Sequence, residues 1–238
     1  MRRVLVTGAS SGIGKQLALD YAAEGWEVMA CGRDGEKLTA VAAASPLIVP
    51  LSFDITDLAA TREALGGVQA DIVILCAGTC EYLDNGVVDA EKVARVMNTN
   101  FNGPVNCLDA LLPGLAPGSR VALVGSVAWL LPFSRSEAYG ASKAALAFFA
   151  RSLAVDLAKR QIHVSLIQPG FVETPLTSHN DFAMPMIVTA AQASKHIRKK
   201  LAQGASEIAF PPLFVGFLKV ASWLPVSVQK WLCRKMVK

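Results

Sequence analysis

Two side chains suited to proton transfer, a phenol and an ammonium, Tyr139 and Lys143, open the longest helical pattern in the chain, and a spacing of four places them on one face a single turn apart. An ammonium beside a phenol stabilises the phenolate, which makes the tyrosine proton available nearer neutral pH than in a free phenol. Tyr139 can then act as an acid toward a carbonyl oxygen or as a base toward an alcohol. Thirteen residues earlier Ser126 ends an apolar strand pattern, where its hydroxyl can hydrogen-bond the same oxygen. A Tyr-x-x-x-Lys pair also arises in any amphipathic helix that carries a solvated lysine. The serine and a glycine turn far upstream weight it toward chemistry, because they occur in an order that one fold brings together.

That turn is Thr7-Gly8-Ala9-Ser10-Ser11-Gly12-Ile13-Gly14. Val4-Leu5-Val6 before it suits a buried parallel strand, and Ile13, Leu17 and Tyr21 after it line one helix face. A strand that enters a helix across glycines aims free backbone N–H groups and the positive helix end at one point, which suits a phosphate. Gly8 permits the tight turn, Gly12 lets a diphosphate approach the backbone, and Gly14 lets the helix sit close on the sheet. Three residues separate Gly8 from Gly12, unlike the G-x-G-x-x-G fingerprint, and a plain strand-helix turn is the alternative.

Strands are expected over 27–31, 47–51, 72–76, 120–125 and 163–168, with a short last one over 207–209. Helices are expected between them, one running to Leu65 from a cap at Thr56 or Asp57, one over 89–98, one beginning after Asn100 with Pro104 in its first turn, and the long one over 139–159. Strands alternating with helices give right-handed crossovers and a single doubly wound parallel α/β sheet with helices on both faces, ligands binding at the strand C-terminal ends.

A chain of 238 residues fits one large domain, and 53% hydrophobic with 18% charged residues marks it as folded. The net charge of +4 is a small excess, and no basic run with interleaved aromatics occurs in the first two hundred residues, so nucleic acid is not an expected partner. Five cysteines without regular spacing argue for a reducing compartment; Cys31, Cys76 and Cys107 fall in or beside apolar runs as core residues. Three residues precede the first strand and no apolar stretch reaches about 18 residues, so neither signal peptide nor membrane span is expected and the cytoplasm is the expected location.

In combination these motifs resemble the short-chain dehydrogenase/reductase family over residues 3 to about 210. The family's T-G-x-x-x-G-x-G is residues 7–14, its Y-x-x-x-K is 139–143, and its catalytic serine falls on Ser126. Its active-site asparagine, in an N-x-x-G setting, falls on Asn100, with Asn98 the competing candidate. The resemblance implies a Rossmann fold, Tyr139 as acid/base, Lys143 assisting it and bonding the nicotinamide ribose, Ser126 orienting the carbonyl, and Asn100 holding a water that relays protons. It implies cofactor contacts from Gly8, Ser10, Ser11, Gly12, Ile13 and Gly14, from Asp54, Ile55, Ala77 and Gly78, and from Pro169, Gly170, Val172 and Thr174, with no metal. Where the family commonly has Asn-Asn-Ala-Gly, the chain has Leu75-Cys76-Ala77-Gly78, so the asparagine's hydrogen bonds are absent.

At the end of strand two an acidic residue would bond the ribose diol of NAD, but Gly32 stands there and Arg33 follows, which favours NADP(H) over NAD(H); Asp34 would invert the argument if the register moved by two. Asp54 is either an adenine-side contact or a residue beside a helix cap. The apolar segment 127–133, with Phe182, Met184 and Met186, suits a hydrophobic ketone or alcohol, or else packs into the core or an interface. The expected activity is therefore NADP(H)-dependent interconversion of a carbonyl and a secondary alcohol, and the family resemblance implies a homodimer or homotetramer. The alternatives are a catalytically silent nucleotide sensor or scaffold, and an epimerase or dehydratase. Beyond a catalytic domain over 1–210, the tail over 211–238 mixes Phe214, Phe217, Trp223 and Trp231 with Lys219, Lys230, Arg234, Lys235 and Lys238. It is expected to pack on protein, over the pocket or on a second subunit, with peripheral membrane contact as the alternative.

Overall fold

The computed structural model describes residues 1–236, so Lys238 of the tail lies outside them. Strand and helix alternate from the start: β1 (Arg3–Thr7), α1 (Gly12–Ala23), β2 (Glu27–Gly32), α2 (Gly35–Ala42), β3 (Ile48–Ser52), α3 (Leu58–Leu65) and β4 (Ile72–Leu75). There follow α4 (Ala90–Met97), α5 (Gly103–Leu111), β5 (Arg120–Val124), α6 (Glu137–Leu157) and β6 (His163–Pro169). A small parallel pair, β7 (Val172–Glu173) and β8 (Val188–Thr189), precedes α7 (Ala190–Ala202), β9 (Glu207–Phe210), α8 (Pro212–Ser222) and α9 (Val226–Met236). Expected and observed bounds differ by a residue or two, as strand and helix ends commonly do.

The main sheet has seven parallel strands in the order β3-β2-β1-β4-β5-β6-β9. Winding runs outward from β1 to β3, then returns to β4 on the other side of β1, so a crevice opens at the carboxyl ends of β1 and β4. Alternating side chains feed two cores. Val4, Val6, Ile72 and Ile74 face α1 and α7 with Leu17, Tyr21 and Ile197, whereas Leu5, Val73, Leu75 and Leu123 face α5 and α6 with Leu108 and Leu146. Pro50 lies in β3, the edge strand, where a missing ladder donor costs least.

Side-chain caps fix where helices start. Asp57 accepts the Ala60 N–H at 3.0 Å and caps α3, while Thr56 bonds Asp54 instead; Asp34 and Asp89 cap α2 and α4 in the same way. The break expected between 98 and 100 is instead a π turn over Asn98–Asn102 that joins α4 to α5. Pro104 is the physical reason: it offers no N–H to the Asn100 carbonyl four residues back, and its ring crowds that carbonyl.

The tail forms two helices. α8 and α9 build a third core in which Val215, Leu218, Ala221 and Cys233 pack on Val127, Leu130 and Leu131. All five cysteines are free thiols. Among the described residues no helix is long and apolar enough to cross a membrane.

Candidate active site

The turn between β1 and α1 is shaped by three glycines. Gly8 has φ +69°, and a Cβ there would stand 2.8 Å from the Ala77 Cα. Gly12 has φ +54°, with room for a Cβ only 3.0 Å from the Thr174 methyl, and a Cβ on Gly14 would stand 2.3 Å from the carbonyl oxygen of Gly8. Gly14 thus seats the helix on the turn itself, and Gly12 lets the loop after β6 close over it. Ser11 caps α1 in extended conformation with its hydroxyl making no cap bond, and no acid lies in the first turn. The first intrahelical acceptor is the Ser11 carbonyl, taken by Lys15; the Ala9 N–H donates to the Cys31 carbonyl and the Gly14 N–H faces the Cys76 thiol, which leaves the N–H groups around Ser11, Gly12 and Ile13 as those that can meet an anion.

The Thr7 hydroxyl accepts the backbone N–H groups of Cys76 and Ala77 at 3.0 and 3.1 Å, tying β1 to the loop after β4. These bonds hold the loop where the family's asparagine is missing, and sequence reasoning gave Thr7 no such part.

Ser126 follows β5 and accepts the Ala128 N–H at 3.1 Å, which fixes the turn leading into the apolar segment. Tyr139 stands in the first turn of α6, in the same groove. Desolvation pushes its phenol up to about 12, the Ser126 hydroxyl drawing it the other way. Lys143 is 4% exposed and donates to the Val124 carbonyl at 2.9 Å, with its ammonium 5.7 Å from the Tyr139 ring centroid. Burial pushes that ammonium down to about 8. The group that lowers the phenol here is Ser126 and not Lys143, and desolvation outweighs it: the chain by itself holds a neutral phenol, the form that can donate a proton.

Asn100 is fully buried in the π turn. Its side chain accepts the Thr79 N–H at 2.8 Å and donates to the Thr79 carbonyl and to the Ser142 hydroxyl, at 2.9 and 3.0 Å. Ser142 is the neighbour of Lys143, so the asparagine fastens the π turn to α6 and to the loop after β4. Both amide protons are spent and the amide oxygen holds one donor, so a water would meet Asn100 at an acceptor, the second lone pair of that oxygen or the backbone carbonyl. Asn98 instead accepts from Asn102 on the surface.

At the far end of the groove the Arg33 guanidinium is 71% exposed and 3.7 Å from the Asp54 carboxylate. Partial burial raises the Asp54 carboxyl, yet hydrogen bonds from Thr56 and the charge of Arg33 bring it below the usual range. Asp34 is occupied in capping α2 and in an ion pair with Lys37 at 2.7 Å, and it does not line the groove.

One groove of about 320 Å³ gathers the rest. Gly8, Ser10, Ser11, Gly12, Ile13 and Gly14 line it, with Arg33, Asp54 and Ile55, Ala77 and Gly78, Ser126, Tyr139 and Lys143, and Pro169, Gly170, Val172 and Thr174. Asn100 stands behind this wall. Thr79, Thr99 and Thr177 were not expected; Thr177 accepts the Thr174 N–H and donates to the Val172 carbonyl, which braces the strap after β6. Their only sequence signal is position, each falling beside an expected contact. Close-approach glycines, free N–H groups and hydroxyls along an extended groove fit a dinucleotide.

A short chain dehydrogenase family profile matches residues 2–183. An uncharacterized oxidoreductase of Myxococcus xanthus is 35% identical over 94% of this chain and 93% of its own length. The serine 3-dehydrogenase of Rhizobium radiobacter is 34% identical over 73% of each chain. Among solved structures, a short chain dehydrogenase from Burkholderia cenocepacia in complex with NADP shares the fold, with a TM-score of 0.77 at 24% identity over 87% of this chain and 95% of that one. Sequence, sheet order and groove thus agree on one lineage: the chain belongs to the short-chain dehydrogenase/reductase family, NAD(P)-dependent oxidoreductases acting on CH–OH donors.

Proposed function

We propose that the chain interconverts a carbonyl and a secondary alcohol on a hydrophobic substrate, with NADP(H) as cofactor and Tyr139 as the general acid/base. The observation that carries this reading is the common groove of Ser126, Tyr139, Lys143 and the glycine turn. A bound nicotinamide cofactor supplies or accepts the hydride. The N–H groups at the start of α1, with Ser10 and Ser11, would hold its diphosphate. Ser126 orients the substrate oxygen, and Tyr139, kept protonated by desolvation, gives its proton to that oxygen during reduction. Lys143 holds the adjoining positive charge, and the Asn100 carbonyl, left without a helical donor by Pro104, offers a water site through which the phenol is reprotonated.

Arg33 beside a side-chain-free Gly32 supports a 2′-phosphate at the ribose edge, and the engagement of Asp34 in a helix cap removes the acidic competitor. Val127, Leu130 and Leu131 after Ser126 are buried against the tail helices, so the support for an apolar substrate comes from Leu176 in the groove and from the exposed Phe182 and Met186 beyond it. A panel of aldehydes and ketones followed by NADPH consumption, with Tyr139→Phe as control, tests the reading: the variant is expected to lose activity by about a hundredfold or more. Unchanged turnover in Tyr139→Phe would overturn the mechanism, and equal efficiency on small polar sugars would overturn the substrate class.

A further inference from the structure

The tail keeps a second apolar face after its inner one is covered by protein. α8 turns Val215, Leu218 and Ala221 inward and leaves Leu213, Phe217, Val220 and Trp223 outside, at spacings that form one stripe. Trp223 is 81% exposed, and Trp231 on α9 is 56% exposed. Nine of the twenty exposed large apolar side chains among the described residues lie in residues 212–236, about a tenth of the chain, so exposed apolar surface is concentrated on the two tail helices.

Charge decides what this patch can face. Residues 211–238 hold five Lys and Arg and no Asp or Glu. Lys219 is taken up by Glu207 at 3.7 Å, but Lys230, Arg234 and Lys235 have no carboxylate partner among the described residues. A second copy of the chain fits poorly, because a two-fold contact would set these cations against themselves. Self-assembly has another apolar surface on α6, where Phe148 and Val155 are 76% and 73% exposed. An anionic bilayer suits both halves of the patch, with tryptophan and phenylalanine at headgroup depth and the cations among phosphates.

The inner side of α8 reaches toward the groove through Phe214, which packs on the third core. The Phe214 ring lies 5.7 Å from Phe171, which lies 6.0 Å from Phe182, and a Cβ on Gly170 would stand 3.0 Å from Phe214. We propose that the outer face of α8 and α9 docks on an anionic lipid surface, on helices whose inner side packs beside Gly170 of the groove. Docking does not depend on the substrate, so it is read without turnover.

Flotation of the full chain with phosphatidylcholine vesicles, and with vesicles that also carry phosphatidylglycerol, tests this. Binding to the anionic vesicles is expected to exceed binding to the neutral ones by about tenfold or more, and to fall at high salt. Trp223→Ala with Trp231→Ala is expected to weaken it by about tenfold. Lys230→Glu with Arg234→Glu and Lys235→Glu, a purely surface change, is expected to weaken it by about a hundredfold. Thermal unfolding and NADPH fluorescence should be unchanged in both variants. The proposal is overturned if the chain ignores anionic vesicles, if neutral and anionic vesicles bind it alike, if neither variant weakens binding, or if the tryptophan variant instead dissociates an oligomer.

Discussion

Lys143 carries a charge where water scarcely reaches, held by one carbonyl, that of Val124. Its folded pKa of about 8 lies below the ordinary 10.5, so between those values the unfolded chain binds the extra proton and stability rises with pH. Tyr139, raised to about 12 in the fold, changes little in that window and does so alike in wild type and in a Lys143 variant. The stability difference between wild type and Lys143→Met should therefore move in favour of the wild type by about 2 kcal/mol from pH 7 to pH 10. Denaturant unfolding of both proteins across that range measures it, and a flat difference would mean the ammonium is solvated. The Tyr139–Lys143 pair was legible from its spacing taken together with Ser126 and the glycine turn, but its electrostatics were not, because desolvation belongs to the walls of the groove and not to either residue. Gly32 makes a second single-residue case. A Cβ there would meet only Leu38 and Ser10 at ordinary distances of 3.6 to 3.7 Å, so a side chain fits without backbone strain. Gly32→Asp should lower NADPH affinity by about tenfold and raise NADH affinity, by setting a carboxylate at the ribose edge. Titration of cofactor fluorescence reads both, and unchanged NADPH binding would remove the ribose edge from cofactor choice.

At the scale of elements, the alternation of strand and helix was legible because buried parallel strands are short continuous apolar runs and their crossovers are amphipathic. The π turn between α4 and α5 was not. Pro104 was read as the start of a separate helix, which is its commonest meaning, whereas here it widens a continuous rod and takes the donor away from Asn100. The cue was the spacing of four between an expected site asparagine and a proline, legible only once both belong to one helical run. Pro104→Ala restores the donor and lets the ladder close on the Asn100 carbonyl. Thermal stability is expected to hold or rise, since a favourable helix former replaces the proline, while kcat falls by about tenfold with KM little changed. Steady-state kinetics beside a melting curve separate the two effects. A wild-type kcat would detach the Asn100 carbonyl from proton delivery.

Across the whole molecule, one sheet edge collects groove-lining residues drawn from 8 to 177, and the tail then returns over the segment that leaves Ser126. Composition marked the tail as different, but it could not say which side of α8 faces inward, because both sides are apolar. Contacts decide it: Leu218 is 1% exposed and packs with Val127, Leu130 and Leu131, the segment that leaves Ser126. Leu218→Ala should cost about 2 to 5 kcal/mol through the cavity it opens. The loss should not be confined to stability. The wall beyond Ser126 rests on this side chain, so KM for apolar carbonyl substrates is expected to rise more than kcat falls, while NADPH affinity at the glycine turn stays as it was. A Leu218→Ala protein that melts lower yet keeps its KM would show that the third core supports the tail alone and lends nothing to the substrate wall.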